Sequence, residues 1–230
     1  KRKRGKTHWI NLLFREKRMT LPILYSFRRC PYAMRARMAL ILANKQVELR
    51  EILLKDKPNE MLAISSKGTV PVLQLTEKVL DESLEIISWA MELHPANVYS
   101  ASDDEQLISN NLIQLFDSKF KHHLDRYKYA SRYGANEAIH QDECKTILLS
   151  LEKIIDPNPW IFGEKISLLD ISILPFIRQC KIANPAWFQA QNFKQTIGLL
   201  EHFESSELFK RAMKKFELWN ADAQNGFTFP

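Results

Sequence analysis

The chain has 230 residues, a net charge of +6 and 45% hydrophobic residues. This length suits one large domain or two small ones, and it is long enough to bury a hydrophobic core. The apolar content is ordinary for a soluble globular protein. Apolar stretches such as Ile171–Ile177 are far shorter than the roughly 20 residues that span a bilayer, so we expect no membrane-spanning segment.

The positive charge lies almost wholly in the first 18 residues. They carry eight Lys/Arg and one Glu, whereas the rest of the chain carries 25 basic and 26 acidic side chains. The body of the chain is therefore nearly neutral, and we expect no nucleic-acid partner. Residues 1–20 are interpreted as a basic N-terminal extension that does no chemistry, with a nucleic-acid or membrane-surface arm as the alternative. Their apolar core, Trp9–Phe14, is too short for a signal peptide.

The spacing of cysteines and histidines predicts neither disulfides nor a metal site. Cys30, Cys144 and Cys180 are widely separated, which is typical of a reducing compartment and predicts a cytoplasmic protein. His122 and His123 are adjacent, so on a helix they are expected not to face one ion together. We therefore expect no bound metal.

Strand and helix patterns alternate in the first half of the chain. Hydrophobic periodicity predicts strands at Leu21–Phe27, Val47–Leu53, Val70–Leu75 and Lys78–Leu80, and helices at Pro31–Asn44, Lys57–Ile64 and Ser83–Leu93. The order β-α-β-α-β-β-α predicts an α/β domain over residues 21–95, with a four-stranded mixed sheet and helices on its faces.

The second half carries only helical patterns. Helices are predicted at Asp103–Tyr129, Ala135–Ile155, Leu168–Ile182, Phe193–Glu204 and Glu207–Trp219. The stretch His94–Asp103 is rich in helix breakers and predicts the boundary with an all-helical domain over residues 104–222. Ser167 and Asp170 predict a capping box, and Pro175 is expected to kink or interrupt the helix that follows.

Cys30 falls where the first strand turns into the first helix, in "YSFRRCPYAMRARMAL". The unpaired N–H groups and the positive dipole end of that helix favour a thiolate, as do Arg28 and Arg29 if they point inward. The pattern therefore predicts a thiol with a pKa below its ordinary value and nucleophilic character. The alternative is a small buried residue without reactivity, which is how we interpret Cys144 and Cys180.

The sequence Cys-Pro-Tyr-Ala places Ala33 where a resolving cysteine would stand. A reactive Cys30 cannot close a local disulfide, so an external thiol must complete any redox cycle, and glutathione is the obvious candidate. Pro71 predicts a cis bond that would leave the backbone of Val70 free to pair with a peptide ligand.

Charged groups of a tripeptide ligand also find candidate partners. Glu82 and Ser83 open a predicted helix whose N-terminus suits a carboxylate, and Glu82 or Asp81 would hold an ammonium group. Lys57 would reach a second carboxylate. Each feature has an ordinary structural alternative: a helix cap, a proline at a strand start and a solvated lysine.

Together, "YSFRRCPYAMRARMAL", "LKDKPNEMLAISSKGTVPVL", "LDESLEI" and "ISLLDISILPFIRQ" resemble the glutathione S-transferase superfamily over about Leu21 to Trp219. The similarity is greatest to its cysteine-type branch, the omega class with related thiol transferases and dehydroascorbate reductases. The resemblance implies a thioredoxin-like N-terminal domain followed by a C-terminal helical bundle domain, and a homodimer.

The resemblance also implies roles for single residues. Cys30 matches the catalytic cysteine, and Lys57, Val70, Pro71, Glu82 and Ser83 match the glutathione site. An electrophile pocket is expected from Phe27, Arg28, Tyr32, Phe116, Phe120 and His123. Arg29 departs from the family, in which an aromatic or apolar residue often stands at this place.

The implied activity is thiol–disulfide exchange on a glutathione mixed disulfide or a small electrophile such as dehydroascorbate. Two alternatives remain open at this point. The protein could ionise glutathione's own thiol for conjugation, for which Ser26 is an available hydroxyl. It could also be an interaction protein that shares the fold without the activity.

Overall fold

A computed structural model of the protein describes residues 21–92, 98–223 and 225–230. The predicted extension, residues 1–20, lies outside the described residues, as do Leu93 at the end of a predicted helix and residues 94–97 of the predicted join. The proposed domain limits therefore stay predictions.

The sheet of the first domain has five strands in the order β4-β3-β1-β2-β5. They are β1 (Ile23–Ser26), β2 (Val47–Glu51), β3 (Val72–Gln74), β4 (Val79–Leu80) and β5 (Phe227–Phe229). β1 and β2 are parallel, with Tyr25 opposite Arg50, whereas β3 runs antiparallel to β1. The mixed, thioredoxin-like sheet predicted from the sequence is thus confirmed.

The fifth strand corrects two expectations, a four-stranded sheet and a second half without strands. β5 pairs antiparallel with β2, with Phe229 opposite Val47, and Phe229 is buried. The segment leading to it already follows the sheet, because the N–H of Trp219 donates to the carbonyl of Glu51 at 2.8 Å. A three-residue strand is too short for its periodicity to stand out in the sequence.

Three helices flank this sheet: α1 (Pro31–Leu42), α2 (Asn59–Ile64) and α3 (Ser83–Met91). Pro31 holds the first helical position, where its missing N–H has no helical partner to lose. Nearly every side chain of α1 is buried, because the helix packs against α3 and against helices of the second half.

The second half is helical, as predicted, apart from β5. Its helices are α4 (Asp103–Leu115), α5 (Lys121–Lys128), α6 (Ala130–Tyr133), α7 (Glu137–Glu152), α8 (Leu168–Ala183), α9 (Pro185–Gln189), α10 (Lys194–Ser205) and α11 (Glu207–Ala212). A π-helical segment, Phe116–Phe120, separates α4 from α5. Within the described ranges, we find no helix with the length and apolarity that crossing a membrane requires.

Two predicted helices differ from their observed counterparts. The predicted helix Asp103–Tyr129 is divided by the π-helical segment, which closes wider turns than an α-helix. The predicted helix Glu207–Trp219 ends at Ala212, because the chain from there turns to pair with β2. The capping box is confirmed: Asp170 N–H donates to Ser167 Oγ at 3.2 Å, and Ser167 N–H donates to Asp170 Oδ2 at 2.8 Å.

Two fully buried arginines on α1 connect it to its surroundings. Arg35 Nη2 lies 2.7 Å from Asp117 Oδ1 of the π-helical segment, and Arg35 Nε donates to the carbonyl of Ser172 on α8 at 2.8 Å. Its guanidinium carbon lies 4.7 Å from the centre of the Phe176 ring. Arg35 therefore joins the thioredoxin-like domain to the helical region.

Arg37 forms the second buried network, at the ends of β1 and β2. Its guanidinium pairs with the Glu51 carboxylate, donates to Ser26 Oγ at 2.9 Å and donates to the carbonyl of Ala212 at 3.1 Å. Glu51 Oε1 in turn accepts the N–H of Arg28 at 2.7 Å. The network thereby fixes the loop that leads to Cys30.

Candidate functional site

A cavity of about 800 Å³ lies beside Cys30, between the thioredoxin-like domain and helices α5 and α8. We call it the Cys30 cavity. Its lining residues come from both halves of the chain: Phe27, Arg28, Arg29, Cys30, Pro31, Tyr32, Leu54, Lys57, Gly68, Thr69, Val70, Lys121, Leu124, Asp125, Lys128, Tyr129, Arg178, Gln179, Ile182 and Met213. The structure thus places Cys30, Lys57, Val70, Phe27, Arg28 and Tyr32 around one space.

A second cavity, of about 580 Å³, lies among α3, α4 and α8. Ser172 and Asp117 are among its lining residues, and none of the residues predicted to react borders it. We therefore assign the candidate site to the Cys30 cavity.

Cys30 is the N-cap residue of α1, with extended backbone angles that turn the strand into the helix. Its thiol is half-buried, and Sγ lies 3.7 Å from the carbonyl oxygen of Val70. That oxygen accepts a hydrogen bond from the thiol. The residue predicted to pair with a peptide ligand is therefore also the hydrogen-bond partner of the thiol.

The pKa of Cys30 shifts in the direction opposite to the sequence prediction. Burial raises the pKa of the Cys30 thiol, against the lowering effect of the N–H groups of Ala33 and Tyr32 and of the Lys121 and Arg35 cations. The predicted pKa below the ordinary value is wrong, because loss of water around the sulfur outweighs the effect of the helix N-terminus. The sequence predicted that Arg28 and Arg29 would lower this pKa. The cations that lower it are instead Lys121 of α5 and Arg35 of α1.

The hydrogen bond from the Cys30 thiol to the Val70 carbonyl gives a test of peptide binding at this site. We expect thiolate absorbance to rise with pH only above the ordinary thiol pKa in the free protein, because an acid whose pKa is raised keeps its proton to higher pH. A glutathione analogue without a thiol should lower that pKa by taking the Val70 carbonyl. Ultraviolet titration of the protein, with the Cys30→Ala variant subtracted, measures both values. An unchanged midpoint at saturating analogue would contradict the coupling.

Val70 and Lys57 lie on the wall next to Cys30. The Val70–Pro71 bond is cis, as expected, and Pro71 itself is buried outside the cavity lining. Lys57 is half-buried, and among the described residues no side chain pairs with its ammonium. Gly68 lies beside it with φ +59°, a left-handed conformation that favours glycine. Lys57 is thus available to a carboxylate in the cavity.

Glu82 and Ser83 lie at the start of α3 but do not line the cavity. Ser83 is buried, and its Oγ accepts a hydrogen bond from Arg35 Nη1 at 3.3 Å. The Lys67 ammonium lies 2.8 Å from Asp81 Oδ1 and 2.6 Å from Glu82 Oε1. Lys67 therefore occupies the counter-ion position that had been assigned to a ligand ammonium.

The helical wall of the cavity is not the predicted one. Phe116 and Phe120 are fully buried in the hydrophobic core, and His123 faces α7, where its Nδ1 lies 2.9 Å from His140 Nδ1. None of the three lines the cavity, so this part of the predicted pocket is corrected. Lys121, Leu124, Asp125 and Lys128 line it instead.

The π-helical segment explains this error. The stripe 116, 120 and 123 has the spacing of an uninterrupted α-helix. A π turn closes i to i+5 and adds about one residue to a turn, which rotates everything after it. After this segment, Lys121, Leu124, Asp125 and Lys128 border the cavity. The missed residues do carry a sequence signal, since 121, 125 and 128 are themselves at helical spacing.

Positive charge dominates the cavity lining. Arg28, Arg29, Lys57, Lys121, Lys128 and Arg178 border it, with one carboxylate, Asp125. Asp125 pairs with Lys121, and Arg178 pairs with Glu204 at 3.0 Å. The remaining cations make this an electropositive cavity, suited to ligands that carry carboxylates.

Ser26 and Tyr32 carry two of the hydroxyl groups near Cys30. Ser26 is buried and its Oγ accepts from Arg37. Burial raises the pKa of Tyr32 to about 12, with Asp117 adding to the effect, so its phenol stays neutral. Cys144 and Cys180 are buried in the helical region, as interpreted from the sequence, and cannot resolve a disulfide at Cys30.

Three histidines come together on the other face of α5. His122, His123 and His140 place one ring nitrogen each within 4.8 Å of one another. The expectation that His122 and His123 cannot share an ion considered one helix alone, and the third ring comes from α7. The spacing of histidines along the sequence therefore no longer supports the expectation that the protein binds no metal.

Comparison with known proteins agrees with this architecture. Residues 24–98 match the family model described as Glutathione S-transferase, N-terminal domain. The chain is 26% identical over 154 residues to "Glutathione S-transferase DHAR3, chloroplastic" of Arabidopsis thaliana, which covers 67% of this chain and 56% of that protein. It is 27% identical over 196 residues to "Glutathione S-transferase omega-1" of Rattus norvegicus, covering 84% and 76%.

The fold of this chain is also found in a solved structure, over most of the length of both chains. Glutathione transferase Omega 3C from Trametes versicolor superposes with a TM-score of 0.71 at 17% identity, covering 86% of this chain and 90% of that one. The thioredoxin-like sheet followed by a helical region defines the glutathione S-transferase fold. The first domain thus matches the glutathione S-transferase N-terminal model, and most of the chain is similar in sequence and fold to glutathione S-transferases.

The match spans little more than half of the Arabidopsis protein, 56% of its length. The activity, substrates and partners of the whole protein are therefore matters for proposal. The homodimer and the cytoplasmic location stay predictions.

Proposed function

We propose that this protein is a glutathione-dependent thiol transferase in which Cys30 is the nucleophile. The observation that carries the proposal is that the Cys30 thiol, the Val70 carbonyl and the Lys57 ammonium border one cavity. A thiol, a strand edge and a cation at one site match the sulfur, the peptide backbone and a carboxylate of a glutathionyl group.

The reaction has two exchange steps. The Cys30 thiolate attacks the glutathionyl sulfur of a mixed disulfide, which forms Cys30–S–SG and releases the other thiol as thiolate. A second glutathione thiolate then attacks the glutathionyl sulfur, which yields glutathione disulfide and restores the Cys30 thiolate. Ala33 offers no internal thiol, so the second glutathione is the required reductant.

The ligand itself helps to ionise the nucleophile. The Val70 carbonyl accepts a hydrogen bond from the thiol, which stabilises its neutral form. A peptide N–H of the glutathionyl group competes for that oxygen, which leaves the cations Lys121 and Arg35 to favour the thiolate. Loss of the Val70 hydrogen bond therefore removes one contribution to the neutral thiol, while burial, the largest cause of the raised pKa, remains.

The cavity charge favours an anionic second substrate. A glutathionyl mixed disulfide carries two carboxylates on the glutathionyl part alone, and the lining offers several cations against one carboxylate. Dehydroascorbate, which is small and rich in oxygen, also suits this lining. Conjugation of an apolar electrophile is less well supported, because the lining is rich in cations and the buried Ser26 hydroxyl does not border the cavity.

Glutathione binding is tested by a thermal shift with a matched pair of lysine variants. A ligand at ten times its Kd adds about 1.4 kcal/mol, or about 3–6 °C in Tm for a chain of this size. We expect millimolar glutathione to raise the Tm of the wild type. In Lys57→Met the dissociation constant should rise about 10–100-fold, because a charge-assisted hydrogen bond is lost.

Lys55→Met is the control, since Lys55 is exposed in the same loop and lies outside the cavity lining. It should keep the wild-type shift. A wild type that shows no shift would favour the non-catalytic interaction protein. Equal shifts in both variants would remove Lys57 from the proposed site while leaving the activity itself to the assay of Cys30 variants.

A further inference from the structure

We propose that His122, His123 and His140 form a site for a divalent transition-metal ion, such as Zn²⁺, that links α5 to α7. The cluster is separate from the Cys30 cavity, and the proposed thiol chemistry does not use it. Imidazole nitrogens are preferred ligands of Zn²⁺, Ni²⁺ and Cu²⁺. Three of them provide the protein ligands of an open coordination site.

The ring positions are close to those that an ion requires. His123 Nδ1 lies 2.9 Å from His140 Nδ1, and the three ligand atoms lie within 4.8 Å of one another. With Zn–N bonds of about 2.0–2.1 Å, tetrahedral ligand atoms are about 3.3 Å apart. Small side-chain rotations therefore suffice, opening the first pair by a few tenths of an ångström and drawing His122 in.

The neighbouring charges fit two roles around such a site. Glu143 Oε2 lies 3.9 Å from His123 Nε2, on the far side of that ring, where carboxylates orient ligating histidines. Arg126 Nη1 lies 3.1 Å from His122 Nδ1, so that nitrogen presents a lone pair to a cation. An incoming ion would displace Arg126, whereas Lys119 lies farther out and pairs with Glu143 at 3.1 Å.

An ion held here would act on the wall of the Cys30 cavity. His122 and His123 belong to α5, and the opposite face of α5 carries Lys121 and Lys128 into that cavity. His140 belongs to the first turn of α7, which packs directly against α5. Cross-linking the two helices would restrict movement of α5 and stabilise the helical region.

Zinc titration of the chelator-treated full chain tests the site, in a Cys30→Ala background so that the thiol does not compete. Calorimetry should detect one equivalent of Zn²⁺, and saturating Zn²⁺ should raise the Tm by mass action. His140→Gln should weaken binding at least tenfold and abolish the Tm increase. His202→Gln is the matched control, since His202 lies on α10 against Trp160, and it should bind as the parent does.

Arg126→Met is expected to change the affinity for Zn²⁺ in the opposite direction from His140→Gln. It removes the competing cation without touching a ligand, so Zn²⁺ should bind more tightly than to the parent. Circular dichroism confirms that His140→Gln is folded before its affinity is compared. Absence of Zn²⁺ binding in the parent, or equal affinity in the parent and His140→Gln, would overturn the proposal.

Discussion

Replacing Cys30 with alanine should abolish the reduction of glutathione mixed disulfides. We expect the rate to fall about 100-fold or more, to that of free glutathione, because no other thiol borders the cavity and exchange requires a thiolate nucleophile. Cys30→Ser should lose the activity equally, although it keeps the shape of the side chain, since a serine hydroxyl stays protonated. A coupled assay of glutathione disulfide formation measures both.

Cys144→Ala is the control for these variants. It removes a thiol that is buried in the helical core and should leave the rate unchanged. Full activity in Cys30→Ala would defeat the proposed mechanism. Turnover of chlorodinitrobenzene that exceeds thiol transfer and survives the loss of Cys30 would instead establish conjugation as the activity.

The largest effect on stability is expected from Glu51→Ala. The substitution leaves Arg37 fully buried without its carboxylate, and removal of one partner of a buried ion pair costs about 3–5 kcal/mol. It also removes the acceptor of the Arg28 N–H, which helps to hold the loop before Cys30. Urea unfolding should show a lower midpoint, and the folded fraction should lose affinity for glutathione.

Two further variants serve as controls for the effect of Glu51→Ala on stability. Glu48→Ala removes a carboxylate on the same strand that pairs with Arg50 near the surface, and it should cost less than about 1 kcal/mol. The double variant Arg37→Met, Glu51→Leu removes both buried charges and should recover more than half of the loss. A double variant no more stable than Glu51→Ala would show that the uncompensated charge is not the cause.

Much of the first domain could be predicted because its patterns are local. Strands and helices alternate with clear periodicity, Pro31 marks the start of α1, and Ser167 with Asp170 marks the start of α8. β5 could not be predicted, since it consists of three residues whose partner strand is distant in the sequence. Its pairing is decided by tertiary structure and not by local preference.

The sequence predicted those parts of the site whose positions are set by the order of strands and helices along the chain. Cys30 and Val70 meet because Cys30 follows β1 and Val70 precedes β3, and these two strands are neighbours in the sheet. The protonation of Cys30 was not predictable, since it depends on how much protein surrounds the sulfur. The helical wall depends on a π-helical segment, whose added residue leaves no mark in a hydrophobic pattern.

Arg35 and Arg37 were overlooked for a different reason. Two charged residues in a helix are ordinarily taken as its solvent face. Here α1 is covered on all sides, so both guanidinium groups are buried and find partners on other elements. The signal that was available is the scarcity of any other polar side chain from Ala33 to Leu42.

The placement of β5 has a consequence for how the molecule acquires its structure. Until Phe227–Phe229 is in place, the outer edge of β2 exposes unpaired backbone N–H and C=O groups, which readily pair with other chains. During synthesis the outer edge of β2 stays unpaired until the whole helical region and then β5 have been translated. A fragment that contains β1 to β4 but lacks β5 should therefore self-associate. Pairing of β2 with β5 should be among the last steps of folding.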